Sequence, residues 1–137
     1  MDTKSKTYLS WDDINKLVDQ LTNKITTQHP QIDSIAGLPR GGLIPAVMLS
    51  HRLALPLVEV ENISKNTLIV DDICDSGKTL KQFQFEENIY TAVIHYKKSA
   101  IYKPNFYWDY ADENKWIVYP WERKDSKTIP DYATKGK

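Results

Sequence analysis

Four of the chain's five glycines lie in two loops, and each loop stands at the end of an apolar run of the kind that forms a buried strand. Three of them lie at positions 37–42, where the run at 32–38 ends, and Gly77 follows the run at 67–73. Each loop leads into a segment with helical features, and helices between buried strands indicate a mostly parallel sheet. The sequence therefore predicts an α/β fold whose ligands bind at the carboxyl ends of the strands.

Hydrophobic spacing predicts two long helices. Apolar side chains recur at helical spacing over 11–25, and Ser10 with Asp13 resembles a capping box at the start of that helix. A second helix is predicted over 43–53, with Pro45 in its first turn. The shorter predicted elements are a helix from 77 to about 85 and strands at 57–60 and 89–96.

The composition excludes several classes of protein. A length of 137 residues suits one domain, here with a polar, lysine-rich tail at about 123–137. Eighteen basic side chains balance 18 acidic ones, so nothing draws the whole chain to nucleic acid or to a membrane surface. The longest apolar stretch, at 43–49, is far shorter than the ~20 residues that span a bilayer, and the N-terminus lacks a signal peptide's apolar core. A single cysteine cannot form an internal disulfide, so we expect a cytoplasmic protein.

The second glycine loop carries groups that suit a sugar phosphate. Asp71 and Asp72 can only accept hydrogen bonds, which suits the vicinal hydroxyls of ribose or a hydrated magnesium ion. Residues 75–79 read Asp-Ser-Gly-Lys-Thr and offer hydroxyls and backbone N–H groups to a phosphate. The end of this loop looks like a Walker A motif, but Asp72 stands where that motif needs glycine, so an NTPase is excluded.

Residues 70–79 (Val-Asp-Asp-Ile-Cys-Asp-Ser-Gly-Lys-Thr) resemble the signature with which type I phosphoribosyltransferases bind phosphoribosyl pyrophosphate (PRPP). Residues 37–42 (Gly-Leu-Pro-Arg-Gly-Gly) resemble the pyrophosphate loop of that family. More narrowly, residues 8–12, Lys98 and residues 116–122 are similar to the bacterial xanthine–guanine and hypoxanthine enzymes. The resemblance covers nearly the whole chain. It implies a twisted parallel sheet flanked by helices, with a small aromatic-rich C-terminal hood for the base.

The resemblance also implies an activity, a cofactor and an assembly. The activity is transfer of the phosphoribosyl group of PRPP to a 6-oxopurine (guanine, xanthine or hypoxanthine), which gives a nucleoside 5′-monophosphate and pyrophosphate in purine salvage. The cofactor is Mg²⁺, which Asp71 and Asp72 would hold largely through the bound substrate and water. The assembly is a homo-oligomer, either a dimer or a tetramer. Asp75 would exchange a proton with N7 of the purine, and Arg40 would bind the leaving pyrophosphate. The residues implied in substrate binding are Asp71 and Asp72 for ribose, Ser76, Gly77, Lys78 and Thr79 for the 5′-phosphate, Pro39 and Gly41 for pyrophosphate, and Lys98, Trp116 and Ile117 for the base.

A lysine selects 6-oxopurines over adenine because it can donate to the 6-oxygen but cannot accept from a 6-amino group. The family pattern assigns this role to Lys98 and leaves Lys97 as a solvated charge. The three histidines lack the spacing of metal ligands and are expected to be surface or packing residues. Cys74 is expected to be a small packing residue within the loop. Most aromatic residues of the C-terminal third are expected to pack, and Trp116 alone is nominated to stack on the purine.

One departure from the family pattern bears on catalysis. Relatives carry a long flexible loop that closes over the site, whereas here only about 61–66 connects the runs at 57–60 and 67–73. Without a lid we expect slower transfer than in a lidded relative, with PRPP hydrolysis as a side reaction, or a subunit partner that covers the site. The alternative function is a non-catalytic module of the same fold that senses PRPP or a nucleotide. An unrelated flavodoxin-like nucleotide binder would require the paired loops to be a coincidence.

Overall fold

A computed structural model describes residues 5–83 and 89–123 of the chain. Its two long helices are α1 (Trp11–Thr27) and α2 (Leu43–Leu53), and both begin where the sequence predicts. The capping box of α1 is present, since the Asp13 N–H donates to Ser10 Oγ at 3.0 Å and the Ser10 N–H donates to Asp13 Oδ2 at 2.9 Å. Periodic apolar residues then bury one face of α1, as an amphipathic helix requires.

Four parallel strands form the central sheet, in the order β2-β3-β4-β5. Their bounds are Ser34–Gly37 for β2, Thr67–Cys74 for β3, Tyr90–Tyr96 for β4 and Phe106–Tyr110 for β5. The last pair between β2 and β3 is Gly37 with Val70, so β3 continues for four residues beyond the end of β2. A parallel sheet flanked by helices confirms the predicted α/β class. The overhang of β3 carries Asp71 and Asp72.

A second, two-stranded sheet joins the beginning and the end of the described chain. In it β1 (Ser5–Tyr8) pairs in parallel with β6 (Lys115–Val118). The chain therefore returns to its own start after the central sheet is complete. Trp116 and Ile117, the residues assigned to the base, lie on β6 opposite Lys6 and Thr7.

Side chains from the two faces of the central sheet enter two separate cores. On one face Leu68, Val70 and Ala92 pack with α1 and α2, and on the other Ile69 and Val93 pack with Leu80 and Phe83 from the chain after β3. Successive strand residues point to opposite faces, which explains this division. Among the described residues, no helix has both the length and the apolar character that a bilayer span needs.

Two predicted elements differ from the structure. The strand predicted at 57–60 is reduced to a single parallel bridge between Leu57 and Ile35, because the chain turns at Glu59 into a 3₁₀ turn at Val60–Asn62. The short helix predicted from 77 to about 85 is only one turn, α3 (Lys78–Lys81). The end of that prediction, and the tail beyond residue 123, lie outside the described residues.

Candidate active site

The loop that follows β2 packs against the overhanging end of β3 at the carboxyl edge of the sheet. The Leu38 N–H donates to the Val70 carbonyl at 2.8 Å, which continues the pairing into the first loop. A Cβ atom on Gly42 would meet the Val70 carbonyl and lie 2.9 Å from Asp71 Cα, so only glycine allows the loop to pack this closely on β3. The first loop is therefore in contact with the segment that carries Asp71 and leads into the second loop.

The first loop presents its central residues to solvent. Pro39 and Arg40 are exposed, whereas Gly41 is buried beneath them, and the Pro39–Arg40 peptide bond is cis. The Gly42 N–H donates to the Leu38 carbonyl at 2.9 Å and closes the loop from within. Arg40 is thereby held at the carboxyl edge of the sheet, where its side chain is exposed to an anionic ligand.

The acidic pair lies at the buried end of this edge. Asp71 and Asp72 are only 5% and 6% exposed. One oxygen of each carboxylate accepts the next backbone N–H: Asp72 N to Asp71 Oδ1 at 2.9 Å, and Ile73 N to Asp72 Oδ1 at 2.8 Å. These bonds hold both carboxylates against the backbone of β3.

The second loop is shaped by Gly77, whose φ of +87° lies in the left-handed region. A Cβ atom at this position would lie 2.8 Å from the backbone nitrogen of Tyr102. The segment after β4 closes on the loop, since the Ile101 N–H donates to the Ser76 carbonyl at 2.8 Å. Within the loop, the Lys78 N–H donates to Ser76 Oγ at 3.2 Å. Residues 76–79 thus form a tight bend that gathers hydroxyls and N–H groups.

Lys97 is buried and forms an ion pair with Asp75, so the expectation that it is a solvated charge is wrong. Its Nζ lies 3.0 Å from Asp75 Oδ1, and only 5% of its side chain is exposed. The Lys97 N–H donates to the Cys74 carbonyl at 3.0 Å, which holds it directly beside the loop. Lys98 is the exposed lysine of the two, with its ammonium 4.4 Å from the centroid of the Tyr110 ring.

Cys74 is a packing residue, and two of the three histidines are surface residues. Cys74 is buried, its thiol donates to the Tyr102 carbonyl at 3.4 Å, and burial together with the nearby Asp71 and Asp75 charges raises its pKa to about 12. Such a thiol stays protonated and unreactive. His29 and His51 are exposed. Among the described residues, no three His, Cys, Asp or Glu side chains group as metal ligands.

Sequence reasoning missed Tyr119, a buried residue that reaches the acidic pair from the C-terminal segment. Its hydroxyl lies 3.2 Å from the Asp72 carbonyl oxygen and 2.9 Å from His95 Nδ1. Burial, followed by the charges of Asp72 and Glu122, raises the pKa of Tyr119 well above its usual value. Its hydroxyl is therefore a permanent donor. No local pattern signals a contact between residues so far apart in the sequence.

The connection predicted to be too short for a lid is short and internally bonded. The Asn62 N–H donates to the Glu59 carbonyl at 2.8 Å, and the Ser64 N–H donates to Thr67 Oγ1 at 3.0 Å. This part of the chain passes from the 3₁₀ turn into β3 by the shortest route. The absence of a long loop between residues 60 and 67 is confirmed.

Solved structures share this fold. A purine phosphoribosyltransferase from Pyrococcus horikoshii superposes with a TM-score of 0.73 at 32% identity and covers 90% of this chain and 96% of its own. A Neisseria gonorrhoeae protein solved with bound ppGpp superposes with a TM-score of 0.77 at 25% identity, over 91% of this chain and 93% of its own. The fold and the site therefore define a type I phosphoribosyltransferase.

Sequence comparison gives the particular family. A xanthine-guanine phosphoribosyltransferase of Cereibacter sphaeroides is 26% identical over 143 aligned positions, which cover 84% of this chain and 86% of the relative. No family model matches the chain. With the Pyrococcus enzyme 32% identical over nearly its whole length, the chain belongs to the purine phosphoribosyltransferases, enzymes that transfer phosphoribosyl groups to purine bases. The 143 aligned positions exceed this chain's 137 residues although only part of it is aligned, so the Cereibacter enzyme carries segments that this chain lacks.

Proposed function

We propose that this chain transfers the phosphoribosyl group of PRPP to a 6-oxopurine and releases pyrophosphate. The observation that carries the proposal is the ion pair between the buried Lys97 and the partly exposed Asp75, three residues after the acidic pair of β3. A site that bound only the sugar phosphate would have no use for a buried lysine and carboxylate at this point. Together they offer the donor and the acceptor that a purine's O6 and N7 edge requires.

The sugar phosphate would be held at both ends of the β3 overhang. The carboxylates of Asp71 and Asp72 accept hydrogen bonds from the two ribose hydroxyls, and residues 76–79 surround the 5′-phosphate with hydroxyls and N–H groups. Their backbone is already bent by Gly77 and closed by Ser76, so binding orders little new structure. The carboxylates of β3 can only accept and therefore suit the ribose hydroxyls, whereas the hydroxyls and N–H groups of the bend can donate and therefore suit the phosphate.

Arg40 and its loop would bind the pyrophosphate. As the anomeric C–O bond breaks, positive charge develops on the sugar and negative charge on the departing group. The guanidinium of Arg40 and the backbone N–H groups of Arg40 and Gly41 would stabilise that anion, and such preorganised electrostatics is often the largest catalytic contribution. The exposure of Arg40 lets the product leave by the same route.

The residues present fit a magnesium ion that is shared with the substrate. Two carboxylates supply hard oxygen donors, and because the described residues offer no third clustered ligand, pyrophosphate and water would complete the coordination. When bound, the ion neutralises charge on the pyrophosphate. Asp71 and Asp72 would hold it while remaining fixed by their backbone hydrogen bonds.

Base recognition is assigned to Lys97 rather than to Lys98. The buried ammonium of Lys97 donates to the purine 6-oxygen, and Asp75 beside it exchanges the N7 proton. Trp116 would stack on the ring and the Ile117 carbonyl would accept from its edge, as both lie half-buried on β6. Lys98 is given no role in base recognition because its ammonium lies over the Tyr110 ring.

A second candidate is a non-catalytic module that senses PRPP or a regulatory nucleotide. It is favoured by the likeness to the Neisseria protein solved with ppGpp and by the short connection at 61–66. We prefer the enzyme because the chain belongs to the purine phosphoribosyltransferases, and because a sensor of PRPP alone needs no purine edge contacts. We also place the protein in the cytoplasm, as a homo-oligomer, on the grounds of its lone cysteine and its family.

The test is product formation with single bases. Protein, Mg²⁺ and PRPP are mixed separately with guanine, xanthine, hypoxanthine, adenine, orotate or uracil, and nucleotide and pyrophosphate are quantified. We expect nucleotide with at least one 6-oxopurine and at least roughly tenfold less with adenine, whose amino group leaves the lysine unpaired. Turnover with orotate or uracil alone would refute the purine assignment.

A further inference from the structure

The Tyr119 hydroxyl joins two groups that are far apart in the sequence and equally buried. Tyr119 is 2% exposed, His95 is 5% exposed and Asp72 is 6% exposed. The hydroxyl oxygen lies 2.9 Å from His95 Nδ1 and 3.2 Å from the Asp72 carbonyl oxygen. Both distances are hydrogen bonds, and no water is needed to bridge them.

The chemistry of the three groups determines which atom donates in each of the two hydrogen bonds. A carbonyl oxygen can only accept, so the single hydroxyl proton of Tyr119 is donated to Asp72. The bond to His95 must then be donated by the imidazole, which assigns the proton of the neutral ring to Nδ1. Burial lowers the pKa of His95 to about 4, partly offset by the charge of Asp109, and the imidazole and Trp108 rings pack in a T-shaped arrangement with centroids 5.4 Å apart.

The backbone of β3 departs from the regular strand pattern at the point where these hydrogen bonds end, at Asp72. The Val70 carbonyl accepts from Leu38 on the β2 side, but the Cys74 carbonyl accepts from Lys97 on the β4 side. In a regular strand, residues four apart face the same neighbour. The side chains change phase as well, since Val70 and Cys74 enter different cores. Asp72 is the midpoint of this change, and its conformation therefore depends on contacts other than the strand ladder.

Tyr119 itself is rigidly held. Its N–H donates to Glu122 Oε1 at 2.8 Å, the Glu122 N–H donates back to its carbonyl at 2.9 Å, and its ring stacks on Trp121 with centroids 4.9 Å apart. It also directly follows β6, the strand that carries Trp116 and Ile117. A rigid donor is thus placed between the segment assigned to the base and the strand assigned to the ribose.

We propose that Tyr119 is a positioning residue for ribose binding, and that His95 orients its hydroxyl toward the Asp72 carbonyl. This inference rests on the proposed function only in assigning Asp71 and Asp72 to the ribose. By holding the Asp72 carbonyl, the hydroxyl fixes the irregular backbone from which both carboxylates project. Tyr119 does not touch the substrate, and its effect is exerted entirely through Asp72.

The experiment compares Tyr119→Phe with Tyr102→Phe. The control loses a half-buried hydroxyl that bonds to Thr91 Oγ1 at 2.9 Å and does not reach Asp72. We expect Tyr119→Phe to raise the KM for PRPP on the order of tenfold, because the buried Asp72 carbonyl loses the hydrogen bond from this hydroxyl, while the KM for the purine changes less than twofold. Tyr102→Phe should leave both KM values unchanged even if its melting temperature falls. A PRPP KM within twofold of wild type in Tyr119→Phe would overturn the proposal.

A second measurement does not depend on turnover. In ¹⁵N spectra of the histidine side chains of the wild-type protein, His95 should show a protonated Nδ1 and an unprotonated Nε2, and the reverse tautomer would overturn the proposal. If Tyr119→Phe does not fold, His95→Gln gives the PRPP readout with the Tyr119 hydroxyl in place. A wild-type protein without transferase activity would refute the proposed function alone, because calorimetric PRPP binding by the same variants still tests the positioning role.

Discussion

The ammonium of Lys97 lies 3.0 Å from the carboxylate of Asp75, and the lysine side chain is almost completely buried. The carboxylate compensates the burial of the ammonium, so removing Asp75 would leave a buried charge without this partner. The pair stands at the junction of the segment after β4 and the loop after β3. In the proposed function, this one ion pair would join base recognition to sugar-phosphate binding.

Lys97→Gln and Lys98→Gln should differ sharply. We expect Lys97→Gln to lower kcat/KM for the 6-oxopurine roughly 10- to 100-fold, because a charge-assisted hydrogen bond is lost and Asp75 is left unpaired. Lys98→Gln should stay within about twofold, since it removes only an exposed contact with the Tyr110 ring. Steady-state kinetics with varied purine decides this, and the opposite ranking would restore the base role to Lys98.

Asp75→Asn separates catalysis from binding. An amide cannot take up the N7 proton, so we expect kcat to fall by roughly 10²- to 10³-fold. PRPP affinity, measured by calorimetry, should change less than about threefold, because the ribose is held by the neighbouring acidic pair. Wild-type protein that binds PRPP but shows no turnover for this substitution to reduce would support the sensing module instead.

The short connection at 61–66 should allow water to compete with the purine. With PRPP and Mg²⁺ alone, we expect slow release of pyrophosphate and ribose 5-phosphate, as water attacks the anomeric carbon and the C–O bond to pyrophosphate breaks. The Cereibacter enzyme, which carries segments that this chain lacks, is the comparison and should transfer faster and hydrolyse less. Fast transfer by a monomer, with one nucleotide formed per pyrophosphate released, would contradict this prediction.

His95 should make the protein less stable in mild acid. Its pKa is lowered by burial from 6.5 to about 4, so between these values the unfolded chain binds the proton that the folded chain excludes. The free energy of unfolding should therefore fall as the pH drops from 6.5 to 4, by up to about 3 kcal/mol. When the free energy of unfolding is measured with urea at several pH values in this range, it should depend less steeply on pH in His95→Gln than in wild type. His51→Gln, at an exposed position, serves as the control. Equal slopes in all three proteins would show that His95 is not the group responsible.

Local patterns were sufficient for the elements that local forces determine. The capping box and apolar spacing of α1, and the helix signals of α2, act within a few residues, so their bounds could be predicted from the sequence. The strand expected at 57–60 failed because its partner is an edge of β2, which offers a single bridge before the chain turns away. Whether a β-rich run becomes a strand depends on neighbours that the sequence does not display.

The choice between Lys97 and Lys98 illustrates the same limit within the site. Adjacent residues at the end of a strand face opposite sides, and the sequence does not reveal which side is buried. The structure places Lys97 on the side of Asp75 and Lys98 over the ring of Tyr110. The contact made by Tyr119 could not be predicted either, because its hydrogen bond to Asp72 joins residues 47 positions apart in the sequence.

Calorimetric titration of PRPP in the presence of Mg²⁺ tests most directly the claim that Asp71, Asp72 and the bend at 76–79 bind one phosphorylated ribose. The account predicts heat corresponding to one PRPP per chain. It also predicts that binding is lost in the Asp71→Asn, Asp72→Asn double variant, with normal binding in Lys98→Gln. Wild-type protein that gives no heat with PRPP and Mg²⁺, or a double variant that binds as tightly as wild type, would contradict it.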